Sequence, residues 1–396
     1  MIKRKAPAAA RLMAAVLAAG LLAAGCGKKT ADPDAVHYAL VTDSAGITNG
    51  AVSELSAGME LAAQAGAFRT QIYPAAADSE EALKDAFDAA ATDKAAYVLC
   101  QGKGMEKALG SAQAAHKNTR YIIFDGVPIS ASGKTEEIRS NTMCVSFDKA
   151  SMGFLVGYAV VKEGIRQVGY MTSSPDSADS IAYQTGFLNG AGYAQQVLGL
   201  DAGSVTILRE YAMTDKLSPM RMMDAGRLYD SGAEIIVTDT ENFLPAIKRA
   251  AADRGGRMGS IGFNPGDGSV VIASGENREG AAEWLLKSLE ADSKAFPGGD
   301  ILNAGAMQNG VKLSVDYSSL TAFTETDMQH VTEAMSGGNA EITGTPDENG
   351  TPGLTSAGSM VTVQEFAPVT PDPEAGLHTE TPVQQAASEA ETGEAE

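Results

Sequence analysis

Short polar segments follow the apolar runs of this sequence, and they contain the side chains best suited to chemistry. The first run ends at Thr42 and is followed by the turn Asp43-Ser44-Ala45-Gly46. Asp125 and Asp239 follow later runs in the same way. Carboxylates in such turns can transfer protons, or they can accept hydrogen bonds from the hydroxyl and amino groups of a ligand. The turns taken alone are compatible with both uses.

The sequence lacks the motifs with which most hydrolases, zinc enzymes and nucleotide-binding proteins build their sites. It contains no GxSxG, HExxH or CxxC, and the glycines after the first apolar run form neither GxGxxG nor GxxxxGK[ST]. None of the four histidines follows a strand-like run: His37, His116, His330 and His378. The sequence therefore favours a binding protein over an enzyme, and it predicts neither a cofactor nor a metal site.

Cysteine usage and charge exclude further classes. Cys100 and Cys144 lie near the ends of apolar runs, so we expect buried thiols rather than a disulfide framework or a nucleophile. The formal net charge is −20 at pH 7. So acidic a chain has no electrostatic footprint for DNA, RNA or a polybasic membrane contact. We expect no nucleic-acid partner.

Strand-length apolar runs alternate with alanine-rich stretches of helical periodicity, which predicts βαβ units. Five predicted strands and the helices between them form one set, and a second set with the same alternation of strands and helices follows. The predicted class is α/β, with two doubly wound parallel-sheet lobes that share a central cleft. We expect lobe 1 at 36–148, lobe 2 at 149–275, and segments at 276–336 that complete both lobes.

Ligands of open parallel sheets bind outside the carboxyl ends of the strands, where loops and helix N-termini present free N–H groups. These ends carry small polar turns in both predicted lobes. We therefore expect a small polar ligand in the cleft. The expected ligand-binding residues are Asp43, Ser44, Asn49, Ser53, Gln101, Gly102, Asp125, Asp239 and Asn264.

The N-terminus has the features of a secretory leader. Residues 1–25 combine four basic residues with an apolar run that is too short to span a bilayer. The run ends in Leu22-Ala23-Ala24-Gly25-Cys26, which resembles the lipobox of bacterial lipoproteins. We expect cleavage before Cys26, lipidation of that cysteine, and a tether at 26–35. The mature protein would then lie on the extracytoplasmic face of the cell membrane, held by its lipid.

The C-terminal part has a different composition. No Lys or Arg follows Lys312, and from Gly337 the chain is rich in Gly, Pro, Thr, Ser and Glu. Such a composition buries too little apolar surface to offset the entropy of ordering. We therefore expect a mostly disordered acidic tail at 337–396. The sequence leaves open whether Met360 to Phe366 adds one strand.

Several motifs resemble the basic membrane lipoprotein family. They are DSAGITNG from Asp43, SMGFLVGYAVVKEG from Ser151, QVGYM from Gln167, TGFLNGA from Thr185 and LYDSGAEII from Leu228. The resemblance covers roughly residues 35 to 335. It implies a solute-binding lipoprotein of an ATP-binding-cassette importer with the type I periplasmic-binding fold, in a family whose better known members bind purine nucleosides.

The chain departs from this family at the ligand-binding motifs. The family's first turn leads into Ser-Phe-Asn, whose ring stacks on the base, whereas this chain has Ala51-Val52-Ser53. The family's Gly-Val-Asp is Gly262-Phe263-Asn264 here, and Asn277 replaces a lysine. The departures predict weak binding of purine nucleosides, or none. The alternative is a nucleoside held by another ring, for which the candidates are Tyr183, Tyr211 and Phe243.

The resemblance implies ABC permease and ATPase subunits as partners, and we expect the protein itself to be a monomer. Two other functions stay open. One is a surface lipoprotein that senses its ligand, and the other is a nucleoside hydrolase, which would need a catalytic constellation that the sequence does not offer.

Overall fold

A computed structural model of the chain describes residues 36–66, 68–346, 351 and 353–369. The predicted leader and Cys26 lie outside the described residues. The described part contains thirteen strands. They are β1 (Val36–Thr42), β2 (Phe68–Pro74), β3 (Tyr97–Gln101), β4 (Arg120–Phe124), β5 (Thr142–Phe147), β6 (Gln167–Thr172), β7 (Thr206–Tyr211), β8 (Ile235–Thr238), β9 (Arg257–Ser260), β10 (Ile272–Glu276), β11 (Ile301–Ala304), β12 (Val311–Val315) and β13 (Thr362–Phe366).

The same residues form nine α-helices. They are α1 (Gly50–Ala65), α2 (Glu80–Thr92), α3 (Glu106–Ala115), α4 (Lys149–Lys162), α5 (Ala178–Val197), α6 (Pro219–Asp230), α7 (Leu244–Arg254), α8 (Arg278–Ala291) and α9 (Glu325–Ser336). None of the helices in the described ranges has the length and apolar character of a membrane span.

The strands form two sheets with matching order, which confirms the prediction of two parallel-sheet α/β lobes. The lobe-1 sheet runs β2-β1-β3-β4-β5-β11 and is parallel throughout. The lobe-2 sheet runs β13-β7-β6-β8-β9-β10-β12, and only β12 is antiparallel to its neighbour. Each strand of lobe 1 thus has a counterpart in lobe 2, and β13 is additional.

The chain crosses between the lobes three times. It passes from β5 into α4, which packs on α5 in lobe 2, and from β10 into α8, which packs on α1 in lobe 1. The third crossing joins β11 to β12. Both lobes therefore draw on segments that are distant in the sequence, and the three crossings together form the hinge.

Glycines bring α4 and α5 into close contact. A Cβ atom at Gly153 or Gly157 would overlap the backbone of α5, and one at Gly186 or Gly190 would overlap the backbone of α4. Without side chains at these positions the two helix backbones approach closely, and α4 is almost completely buried. Helix packing thus explains the glycines of two motifs of the sequence resemblance, SMGFLVGYAVVKEG and TGFLNGA.

A C-terminal strap, residues 338–346 and 353–369, packs on lobe 2. Asn189 on α5 donates from Nδ2 to the Ile342 carbonyl at 2.9 Å and accepts on Oδ1 from the Thr355 N–H at 2.9 Å. Further along, β13 pairs with β7 in parallel register. The expectation of a tail from Gly337 is wrong for these residues, because buried contacts offset the cost of ordering them. Residues 370–396 lie outside the described part of the chain.

Candidate ligand-binding site

The turn after β1 is organised by its own polar side chains. Asp43 Oδ1 accepts from the Ala45 N–H at 3.1 Å, and the Ser44 N–H donates to Asp78 Oδ1 at 2.9 Å. Asn49 Oδ1 accepts from the Ala51 N–H at 3.1 Å and so caps α1, whose exposed face includes Ser53. Asn49 therefore keeps its amide N–H groups available, while its oxygen is occupied by the helix.

The ends of β3 and β4 form a polar pair with an arginine from the second crossing. Gln101 Nε2 donates to Asp125 Oδ2 at 2.8 Å, and Arg278 donates to the same oxygen from Nη2 at 2.8 Å and from Nε at 3.1 Å. Gly102 adjoins them, since its N–H donates to the Phe124 carbonyl at 2.8 Å. Gln101 Oε1 is buried and accepts no hydrogen bond. It therefore needs a donor from outside the described chain.

The backbone of Asp125 is left-handed, with φ of +52°. Aspartate tolerates this conformation better than most residues, because its short carboxylate can hydrogen-bond locally. Strain of this kind persists only where the surrounding contacts hold it. Here the three donors from Gln101 and Arg278 hold it, so the carboxylate is fixed in position.

Asp239, at the end of β8, is enclosed by hydroxyl groups of lobe 2. Its Oδ2 accepts from Thr172 Oγ1 at 3.0 Å and from the Tyr170 hydroxyl at 3.4 Å, and its Oδ1 accepts from Thr240 Oγ1 at 3.0 Å. Burial raises the pKa of this carboxyl, although the hydroxyl donors oppose the shift. Asp239 thus ties the ends of β6 and β8 together, and both its oxygens already have donors.

Asn264 lies at the lobe-2 side of an open cavity of about 440 Å³, which we call the Arg278 cavity. Its Oδ1 accepts from the Gly266 N–H at 2.9 Å, which fixes the loop after β9. The residues that line the Arg278 cavity come from both lobes and from the second crossing: Glu54, Gly262, Phe263, Asn264, Gly275, Glu276, Arg278, Lys312 and Ser314. The volume falls in the range of small-molecule sites.

Ion pairs join the two lobes around this cavity. Lys312 on β12 pairs with Glu54 on α1 at 2.6 Å, and Arg278 lies 3.8 Å from the same carboxylate. Arg278 also pairs with Glu276, which in turn accepts from Lys149 at 3.0 Å. Burial lowers the pKa of Lys149, but Tyr183 and Glu276 outweigh it and raise that pKa. Lys149 is therefore charged, and the hinge holds a continuous chain of alternating charges.

The three candidate rings occupy different environments. Tyr183 lies under the Lys149 ammonium, 5.8 Å from its ring centre, and its hydroxyl approaches Gly262, where a Cβ would overlap it. Tyr211 donates to Gln184 Oε1 at 2.8 Å beneath the Arg209 guanidinium. Phe243 is 0% exposed and belongs to the lobe-2 core. In this conformation only Tyr183 adjoins the Arg278 cavity, and Phe243 presents no surface to a ligand.

The structure brings some predicted residues together and not others. Gln101, Gly102 and Asp125 form one group, and Asn264 shares a cavity with Arg278, which binds that group. Sequence reasoning missed the charged hinge residues: Glu54, Lys149, Glu276, Arg278 and Lys312. A signal was present for two of them, since Glu276 and Arg278 flank Asn277, which the family resemblance had already singled out.

Comparisons with known proteins agree with this architecture. A model of the Bmp family, described as "ABC transporter substrate-binding protein PnrA-like", matches residues 62–337. No significant match was found among curated proteins.

Three solved structures illustrate the fold. An ABC transporter solute-binding protein from Conexibacter woesei superposes with a TM-score of 0.52 at 14% identity, covering 78% of this chain and 98% of its own. A transcriptional activator of the comK gene from Bacillus halodurans superposes with a TM-score of 0.50 at 14% identity, covering 76% of this chain and 96% of its own. A XylFII–LytSN complex superposes with a TM-score of 0.51 at 15% identity, covering 72% of this chain and 99% of its own. At such identities these likenesses show the fold alone.

The family match spans more than half of the chain and both lobes. It is the match, together with the two-lobed fold, that identifies the chain as a member of the Bmp family of PnrA-like ABC transporter substrate-binding proteins.

Proposed function

We propose that this protein is the lipid-anchored, extracytoplasmic binding subunit of an ABC importer, and that it binds a small polar ligand between its lobes. Membership of a substrate-binding family supports the importer role. Lipidation at Cys26 and retention at the membrane rest on the sequence of the leader. A permease and an ATPase subunit are the partners that follow from this role.

The observation that carries the proposal is the group of Gln101, Asp125 and Arg278. Three donors converge on Asp125 Oδ2, which leaves Oδ1 and the unpartnered Gln101 Oε1 as acceptors. Free acceptors in this group suit a ligand that carries hydrogen-bond donors, such as a diol or an amine. Arg278 balances the charge of Asp125, so a neutral ligand needs no counter-ion there.

The site favours a donor-rich ligand over a purine nucleoside. Val52 stands where the family has its stacking phenylalanine, and it is buried in lobe 1. Loss of the ring removes about 0.5–1.5 kcal/mol beyond area burial. A nucleoside stacked on Tyr183 is the alternative, and the position of that ring beside Gly262 supports it.

A thermal-shift screen with nucleosides, bases, sugars and amino acids tests the proposal, followed by calorimetry on each hit. We expect a hit among polyhydroxylated or amine-bearing compounds and little or no shift with purine nucleosides. Tight binding of adenosine, inosine or guanosine would contradict the predicted specificity and favour the Tyr183 alternative. Release of free base from a nucleoside at about 1 per second or faster would contradict a pure binding role.

A further inference from the structure

A second cavity adjoins the hinge, and it does not contain any of the predicted ligand-binding residues. Its volume is about 700 Å³, and we call it the Asp179 cavity. The Lys149–Glu276 ion pair has one partner in each cavity, because Glu276 lines the Arg278 cavity and Lys149 lines the Asp179 cavity. The two cavities therefore lie close to the same hinge pair.

The internal repeat of the fold relates the two cavities. The Arg278 cavity is lined by Glu54 of α1, by the start of α8, and by the edge strands β10 and β12 of the other lobe. The Asp179 cavity is lined by the start of α5, by the start of α4, and by β5 and β11 of the other lobe. Each of these elements has a counterpart in the other set: α1 corresponds to α5, α8 to α4, β10 to β5 and β12 to β11. The Asp179 cavity thus repeats the architecture of the ligand site on the opposite lobe.

The outer wall of the Asp179 cavity comes from the strap. Gly338, Ala340 and Ile342 line it, and all three lie beyond residue 337, where the family match ends. Asn189 holds this wall through its hydrogen bond to the Ile342 carbonyl. Because the wall is anchored to α5, the cavity has a defined shape.

The charged groups that line the Asp179 cavity differ in the partners they already have. The Lys149 ammonium is engaged with Glu276, and the Asp148 carboxylate accepts from the Ala150 N–H at 3.2 Å and from Ser151 Oγ at 2.5 Å. Asp179, in the first turn of α5, is exposed and accepts no hydrogen bond from the described residues, but its charge acts on the Lys149 ammonium and helps to raise the pKa of that group. It is therefore the carboxylate that a bound cation would meet.

Apolar side chains cover the other walls. Met307 comes from the third crossing and Ile342 from the strap, and both are half-buried, whereas Met335 at the end of α9 is buried. Methionine side chains are flexible and polarisable, so they adapt to apolar ligands of varied shape. A volume of this size, lined by both apolar and polar side chains, falls in the range of small-molecule sites.

We propose that the Asp179 cavity is a second binding site, for a small primary amine with an apolar body. The ammonium group lies against Asp179, and the apolar body packs on Met307 and Ile342. Both lobes contribute to the walls, so occupancy of this site depends on the hinge angle. The proposal does not depend on the identity of the ligand in the Arg278 cavity.

Benzylamine is the probe, with benzyl alcohol and benzoate as controls of similar shape and different charge. Binding is measured by ligand-observed NMR and calorimetry on the purified protein. We expect benzylamine to bind and the two controls to bind at least about tenfold more weakly, a difference of about 1.4 kcal/mol. Equal binding of the three compounds, or no binding of benzylamine, would overturn the proposal.

Two pairs of variants locate the site. Asp179→Asn is expected to weaken benzylamine about tenfold, whereas Asp176→Asn, which removes an exposed charge from the loop just before α5 and outside the cavity, leaves benzylamine binding unchanged. Ala182→Phe fills the cavity and is expected to abolish binding, whereas Val197→Phe adds the same ring at the exposed end of the same helix and has no effect.

The outcome is separable from that of the ligand screen. All four variants are expected to keep the affinity of the ligand found in the screen, because none of them changes a residue of the Arg278 cavity. Unchanged benzylamine binding in both Asp179→Asn and Ala182→Phe would assign the amine to another place and refute the proposal.

Discussion

The carboxylate of Asp125 receives two N–H groups of Arg278 on one oxygen, at 2.8 and 3.1 Å, although the residues lie 153 positions apart in the sequence. Asp125 directly follows strand β4 of lobe 1, and Arg278 begins the helix that returns from lobe 2. The pair therefore links the floor of the proposed ligand site to the hinge. A side chain fixed from two directions is pre-organised, and less entropy is lost when a ligand binds to it.

Asp125→Asn tests this pair. The substitution keeps the shape and tolerates the left-handed backbone, so the melting temperature should change little. We expect it to weaken the ligand found in the screen by about tenfold or more, since a charged hydrogen bond contributes about 1.5–3 kcal/mol. Calorimetry measures the loss. Arg278→Lys is the companion variant, because it keeps the charge and removes the two-pronged geometry. Unchanged affinity in both would exclude this group from the site.

Gly186→Ala tests the close packing of α4 and α5. The added methyl group would overlap the backbone of Ala150, so one helix must move. We expect a loss of about 1–3 kcal/mol in the free energy of unfolding, as is usual for overpacking. Denaturant unfolding measures it. Gly104→Ala is the matched control, because its methyl group would meet no atom within 4 Å. Equal stability of the two variants would argue against the close approach.

A stop after Gly337 tests the strap. It removes β13, the partners of Asn189, and the buried side chains of Ala357 and Val361. We expect the melting temperature to fall by several degrees, because about 1 kcal/mol corresponds to roughly 2–4 °C in a domain of about 150–250 residues. The control is a stop after Val369, which keeps the strap and should melt like the full chain. If both truncated proteins melt at the same temperature, the strap contributes little.

A buried charge cluster predicts how stability depends on pH. Arg221 pairs with Glu210 at 3.0 Å and with Asp224 at 3.1 Å, and all three are at most 4% exposed. Arg227 lies 3.7 Å from Asp224, which also accepts from the Val369 N–H of the strap. Burial, with the neighbouring Asp224, raises the pKa of Glu210 to about 8, against the pull of Arg221. The fold therefore favours the protonated form of Glu210 over its carboxylate.

The sign of the effect follows from this proton. In the unfolded chain Glu210 titrates near its ordinary value, so between that pH and about 8 the folded state binds more protons. The contribution of Glu210 to the free energy of unfolding is fully present in acid. It is lost as the pH rises towards 8, by at most about 1.4 kcal/mol per pH unit. Denaturant unfolding from pH 6.5 to 8.5 measures it. Glu210→Gln should flatten this dependence, and an equal slope in both proteins would refute the assignment.

Cys26→Ala tests the anchor. The described lobe 1 begins at Val36, so the substitution should leave folding intact while it prevents lipidation. We expect the variant to leave the membrane fraction and to bind the ligand with the affinity of the native protein. Fractionation after a salt wash measures its distribution. Retention of the variant in the membrane fraction would show that something other than a lipid on Cys26 holds the protein there.

Most of the framework could be predicted from the sequence. The apolar runs and the helical periodicities predicted every strand and helix up to α8, and the strand predicted at Arg120 to Phe124 and the helix predicted at Leu244 to Arg254 coincide with β4 and α7. Residues 301–336 gave no such pattern, because β11 and β12 are short strands of mixed polarity and α9 is mostly exposed. The strap was missed because its order comes from contacts with Asn189 and β7 rather than from local preference.

The site was less predictable, for a physical reason. Turn residues after parallel strands share one edge of a sheet, so Gln101, Gly102 and Asp125 could be grouped in advance. Long charged side chains such as Arg278 and Lys312 reach partners whose position depends on how the crossings join the lobes. Asp239 illustrates the opposite case: its place at a strand end was predicted, but two of the hydroxyl groups that enclose it come from the neighbouring strand β6.

The three crossings also determine the order in which the molecule can be completed. Lobe 1 acquires its edge strand β11 and its helix α8 only after the chain has passed through most of lobe 2, and lobe 2 still needs β12 and the strap after that. A nascent chain that ends before residue 301 contains neither finished sheet. Contacts of such long sequence separation slow folding. The two lobes therefore mature together, late in synthesis, rather than one after the other.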